Sequence, residues 1–346
     1  MHPRLWAEEG VYYYSSLQTD SFIAPMSLIV RGNFQLLTNW IAYLATIVPA
    51  IYAAYITTYC ALLVLVIFIR LVGLLAVQRN WSPLLSVVIV ANLALLPQGY
   101  EIYLTATNVQ WVCSVSVLLI FILDVENLTI FHKKCFYFLV LISGFTGVCS
   151  VMLAPMLLLR GYLSNSRFHF NVGLILAGCA AFHIFIILGN LHQDRVFPTD
   201  IFTLTFPLIL QSIFSPLIGA GVVDQGLALL NKVERAWVYF ILVYLISLCL
   251  AAFTVISARS SIKDKQLALM IFVAWIYISI LNVIGSIGDP SGLISGWGGG
   301  RYFYLGAVCF IILLGFVASS NSLIKSKIAY ALLLLMADSG TKCNTG

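Results

Sequence analysis

Two adjacent carboxylates, Glu8 and Glu9, stand between Trp6 and the run Tyr12, Tyr13 and Tyr14 in the stretch PRLWAEEGVYYYSS (3–16). A side chain that takes a proton from a hydroxyl must be a carboxylate or imidazole within hydrogen-bond reach. Such a base works best in a partly apolar setting or beside a like charge, and this stretch offers both. The same residues also fit an interfacial aromatic belt with two solvated acids. On these residues alone both readings stay open.

Two further stretches carry polar chemistry at the ends of apolar runs. In GYEIYLTATNVQWVC (99–113), Glu101 closes one run, and Asn108, Gln110 and Trp111 open the next. They fit a polar wall in which amides position a hydroxyl-rich ligand, or helix caps, with Asn108 as an N-cap. In GDPSGLISGWGGGRYFYLG (288–306), Arg301 and Tyr302 follow a glycine-rich segment. The planar guanidinium of Arg301 suits a phosphate. The other reading is an arginine snorkelling beside Tyr302 and Tyr304. The glycines are no nucleotide cradle, since no strand precedes them.

The elements that must hold these residues are apolar helices. The 346 residues are 61% hydrophobic and 9% charged, with a mean hydropathy of +1.01. Soluble domains carry roughly a quarter charged residues, so this chain has too few to cover a surface facing water. The fold class is all-α, a polytopic helical membrane protein with an interfacial helix on its outer face. Long unbroken apolar runs exclude a β-barrel, whose strands alternate. The net charge of +5 reads as basic loops, so no nucleic acid is expected as a partner, and the lipid bilayer is. Eight cysteines and five histidines are dispersed without ligand spacing, which predicts no metal site and no cofactor. A cleavable signal peptide is not expected.

Runs near 51–69, 82–98, 109–124, 135–147, 149–160, 170–189, 237–258, 267–287 and 303–319, with a partial one at 328–336, predict nine to ten spans. Gly144, Gly147 and Pro155 divide 135–160, so two short helices should meet near Thr146. The stretch 33–48 fits an amphipathic helix in the interface. Pro207 and Pro216 interrupt 201–219, which must be re-entrant, interfacial or one of a pair of spans. These readings divide the chain into a first outer loop (1–50), a transmembrane domain (51–337) and a tail (338–346). Lys133, Lys134, Arg160, Arg167, Lys325 and Lys327 gather on one side, which positive-inside logic makes cytoplasmic. The acidic pair, Glu101 and Arg301 then share the opposite side.

Five stretches together resemble bacterial multi-spanning proteins of the GT-C glycosyltransferase superfamily. They are PRLWAEEG (3–10), GN-x-QLLTNWIA (32–42), TNVQW (107–111), GFTGVCSVMLAPMLLLR (144–160) and RYFYL (301–305), and their order and spacing match too. The likeness covers most of residues 3–310. It implies a GT-C bundle with an acidic motif in the first outer loop and a polyprenyl-phosphate-linked sugar as donor. The sugar would move to a glycan or lipid-linked acceptor on the outer, periplasmic side of the bacterial inner membrane. O-antigen glucosyltransferases of lipopolysaccharide are a familiar example. Glu8 matches the motif's glutamate, and Glu9 stands where an aspartate is usual. The extra methylene moves a carboxylate oxygen by about 1 Å, an error that can cost about 10²-fold. Arg301 would contact the donor phosphate, with Trp6, Glu101, Asn108, Gln110, Trp111 and Tyr302 lining the substrate. The family places a spanning helix before the acidic motif, so a relative shortened at one or both ends, or an inactive one, is expected. A flippase, transporter or polymerase of lipid-linked glycans is the alternative.

Overall fold

The structure is a computed structural model. It describes residues 9–18, 21–30, 32–99, 102–189, 201–230, 236–257, 262–285, 293–295, 299–320 and 322–344. It is all-α apart from a two-stranded hairpin, β1 (Ile29–Val30) and β2 (Asn33–Phe34), which pair antiparallel around Gly32. The chain forms two compact units, residues 1–75 with 101–193, and residues 76–100 with 194–346.

The first unit begins with a π-helical turn, Glu9–Tyr14, packed on α1 (Leu36–Ile47). Tyr13 and Leu17 bury against Ala42 and Tyr43 of that helix. α1 is the helix expected from the 33–48 pattern. α2 (Ala50–Gln78) follows after Pro49, and Ile41 of α1 packs with Ala61 of α2. Beyond Gln78, Asn80 takes a left-handed φ of 52°, while Trp81 N–H bonds back to Ala76 O. That is a glycine-type helix stop made by asparagine.

α4 (Val109–Ile122) is the buried axis of the first unit, with every side chain but Gln110 enclosed. Around it lie α5 (Ile130–Phe145), α6 (Val148–Val151), α7 (Ala154–Leu163) and α8 (Arg167–Gly189). The break expected near Thr146 falls between α5 and α6. α7 and α8 approach until a Cβ on Gly173 would stand 2.8 Å from Leu158 N, which no larger residue permits without movement. Asn165, at φ 51°, turns the chain between them.

In the second unit the axis is α14 (Tyr304–Ala318), buried along its whole length. α3 (Pro83–Leu95), α13 (Ile262–Gly285) and α15 (Leu323–Asn344) pack on it. Ser82 caps α3 by accepting Leu85 N–H at 3.2 Å, with Pro83 in the first turn. α9 (Ile201–Ile209) carries Pro207. It continues through a π-helical turn, Leu210–Phe214, into α10 (Ser215–Ile218). The chain then bends by 117° at Gly219 into α11 (Ala220–Leu230), and α12 (Ala236–Ser257) completes the unit.

Four helices among the described residues are long and apolar enough to cross a membrane: Ala50–Gln78, Arg167–Gly189, Lys265–Gly285 and Gly300–Ala318. The bent pair makes a fifth if it counts as one span. The chain is thus a multi-pass helical membrane protein, with fewer span-length helices than the nine to ten expected. For two of the expected spans the reason is geometric. Apolar runs near 82–98 and 109–124 form helices of only 13 and 14 residues. At 1.5 Å per residue such helices reach about 20 Å, short of the roughly 30 Å hydrocarbon core.

Candidate functional site

Packing of the Glu9–Tyr14 turn on α1 points the Glu9 carboxylate inward, where the residue is 3% exposed. Its Oε1 accepts the N–H groups of Ala106 and, at 3.3 Å, Thr107. These amides open the 3₁₀ turn Ala106–Asn108, which runs directly into α4. The first amides of a helix lack internal partners and carry the positive end of its dipole, so a carboxylate fits there well. Asn108 does occupy the N-cap position of α4, but its side chain makes no cap bond. The cap comes from Glu9, 97 residues earlier.

Other polar side chains from the first fifty residues close on the same place. Thr38 Oγ lies 2.9 Å from Ala106 O and 2.8 Å from Gln35 Oε1. Asn33 Nδ2 donates to Gln110 Oε1 at 3.5 Å. Leu37 N–H meets Thr146 Oγ at 3.4 Å, and that hydroxyl donates to Ile142 O at 2.6 Å. Gln110 lies against Gly147, where a Cβ would collide with Gln110 Oε1. Gly147 has φ 152° and ψ 163°, a region essentially reserved for glycine. Asn39 donates to Pro25 O and Leu28 O, each at 2.9 Å, holding the preceding turn on α1.

Glu9, Asn108 and Gln110 thus gather at the amino-terminal end of α4, and Trp111 is buried in its first turn. Trp6, Glu8 and Glu101 lie outside the described residues. Arg301 and Tyr302 belong to the second unit. There Arg301 lies over the Tyr302 ring at 5.6 Å, and Tyr302 O accepts Asn282 Nδ2 at 2.7 Å. Gln98 Nε2 bonds Gln211 O, and Gln211 Nε2 bonds Ser295 O, tying the neighbouring chain segments together. No grouping of His, Cys, Asp or Glu suited to a metal occurs among the described residues.

The opposite end of α4 carries a polar cluster that sequence reasoning treated only as basic loop. Arg160 Nη2 donates to Leu123 O at 2.9 Å, and its guanidinium lies 5.5 Å from the Phe121 ring centre. His169 Nε2 is 3.3 Å from Ile120 O, and its Nδ1 is 2.9 Å from Ser166 Oγ. Ser166 in turn donates to Glu126 Oε1 at 2.6 Å. Lys133 Nζ donates to Glu126 O at 2.9 Å and stands 3.9 Å from Oε2. α4 therefore ends against a cation at its negative pole and begins against a carboxylate at its positive one.

In comparisons with known proteins, no family model, curated sequence or solved structure matches this chain.

Proposed function

We propose that the chain is a GT-C-type glycosyltransferase of the bacterial inner membrane. It takes a sugar from a polyprenyl-phosphate donor and passes it to a surface glycan or lipid-linked acceptor on the outer face. One observation carries the reading. Four of the five resembling stretches, containing Glu9, Asn33 to Asn39, Thr107 to Gln110 and Thr146 to Gly147, meet in one hydrogen-bonded junction of the first unit. Stretches far apart in sequence that converge on a buried polar junction are what a shared site requires. Buried polar groups are costly unless they are hydrogen-bonded, as these are.

Within the acidic pair, Glu9 is committed to the α4 amides, so we assign proton transfer to its neighbour Glu8 and the setting of the motif to Glu9. The acceptor hydroxyl attacks the anomeric carbon through an oxocarbenium-like transition state, as in glycoside hydrolysis. Glu8 takes the hydroxyl proton as the bond to the donor oxygen breaks, and the donor leaves as polyprenyl phosphate. The test is sugar incorporation into surface glycan by equally expressed wild type, Glu8→Gln and Glu9→Gln. Loss of transfer in Glu8→Gln is expected; wild-type transfer in both variants overturns the reading.

A second reading, a flippase for lipid-linked glycans, draws on the helix pair bent by 117° at Gly219, with Pro207 and Pro216 inside it. Broken helices of this kind line substrate paths in transporters. Proteoliposomes separate the two: a flippase moves a fluorescent lipid-linked sugar between leaflets without changing it, whereas the transferase consumes the donor.

A further inference from the structure

The segment 21–30 presents large apolar side chains outward instead of burying them. Phe22 is 64% exposed, Ile23 69%, Met26 56% and Ile29 40%. The chain is nonetheless firmly held. Asn39 grips it through Pro25 O and Leu28 O, and Ser27 Oγ bonds Ala24 O. Phe22 packs edge-on against Trp40 at 4.7 Å and also contacts Tyr43. On α1, Trp40 shares a helical face with Leu44 and Ile47, which are likewise exposed. The result is one continuous apolar shelf that the described residues leave uncovered.

Two observations say what covers it. Between residues 21 and 69 the only Lys, Arg, Asp or Glu is Arg31, so the shelf lacks the charges that keep a water-facing surface soluble. The shelf is also carried beside a membrane-length helix. Ile41 and Leu37 of α1 pack with Cys60, Ala61 and Val64 of α2, about 15–20 Å along that helix from Ala50 at 1.5 Å per residue. On α2 itself Leu62 and Leu63 face outward, so the shelf continues a lipid-facing surface.

We propose that the shelf formed by Phe22, Ile23, Met26 and Ile29, with Leu44 and Ile47, is inserted among the lipids of the bilayer. The occupant is lipid, not a second protein. Exposed apolar area gains most by entering the acyl-chain boundary, where Trp and Tyr sit well at the rim.

The test uses the unaltered chain reconstituted in phosphatidylcholine vesicles that carry a diazirine on the acyl chain. After photolysis, lipid adducts are mapped by mass spectrometry, and a matched sample is exposed to hydroxyl radicals from the water phase. Expected are adducts on Phe22, Ile23 and Met26 at the level of Leu62 and Leu63, with loss of radical oxidation at Met26. Oxidation of Met26 without lipid adducts overturns the proposal, because the shelf then faces water. Neither modification also overturns it, because a second protein surface then covers the shelf. Lipid insertion and sugar transfer fail separately: adducts on the shelf say nothing of Glu8, and an inactive chain still inserts.

Discussion

Gly147 is where a single side chain matters most. A β-carbon there would force the backbone out of a region only glycine occupies, and would also strike Gln110 Oε1. Gly147→Ala is expected to lower stability by about 1–3 kcal/mol, read as the thermal midpoint in detergent micelles. Adding Gln110→Ala should recover the part due to collision and leave the backbone part. At Glu9 two substitutions separate charge from hydrogen bonding. Glu9→Gln keeps an acceptor and should cost about 0.3–1 kcal/mol, the worth of a charge at a helix end. Glu9→Ala strands two buried amides and should cost about 1–3 kcal/mol for each. Hydrogen exchange at Ala106 and Thr107 checks this, with faster exchange expected in the alanine variant. If both variants leave exchange unchanged, Glu9 is not the cap. The residue types here were legible in sequence, since Glu9, Asn108 and Gln110 were singled out. Their partners were not. Nothing local to WAEEG announces a bond to an amide 97 residues on, and Asn108 looked like the cap because capping preferences describe neighbours only.

α4 depends on both of its ends. Arg160 closes the far one through Leu123 O and the Phe121 ring. Arg160→Ala is expected to cost about 1–3 kcal/mol by removing a charged hydrogen bond to that carbonyl. Arg160→Lys should recover only part, because a lysine keeps the charge but loses the flat stacking surface. Thermal midpoints of the two variants, compared with wild type, give the order. At this scale the sequence spoke unevenly. Gly147 marked the break between α5 and α6, and Pro155 the start of α7, because glycine and proline act on the residues beside them. Pro207 and Pro216 marked an interruption too, but the 117° bend comes at Gly219, which no residue count distinguishes from a gentle kink. Span number was over-read, since apolarity continues past the end of a helix: Leu96 and Pro97 are as apolar as α3, yet the helix stops at Leu95.

For the whole molecule, the span-length helices require extraction by detergent. Alkaline carbonate, which strips peripheral proteins, should leave the chain in the membrane pellet, and recovery in the supernatant would contradict a multi-pass protein. The membrane class was the most legible property, because it follows from composition, 9% charged and 61% hydrophobic, and needs no knowledge of which residues touch. The division into two units was illegible for the opposite reason. Residues 76–100 join a unit built mainly from 194–346, a pairing set wholly by distant contacts.

The 97-residue reach from Glu9 to Ala106 also has a meaning in time. Ribosomes add about 5–20 residues per second, so roughly 5–20 s separate synthesis of the carboxylate from synthesis of its partner amides. Through that interval α1 and the turn before it must wait beside a growing chain, with Thr38 lacking the carbonyl it closes upon. The amino-terminal layer is made first and finished late. Translation speed across the codons for α2 and α3 therefore sets how long this layer is open to proteases and chaperones.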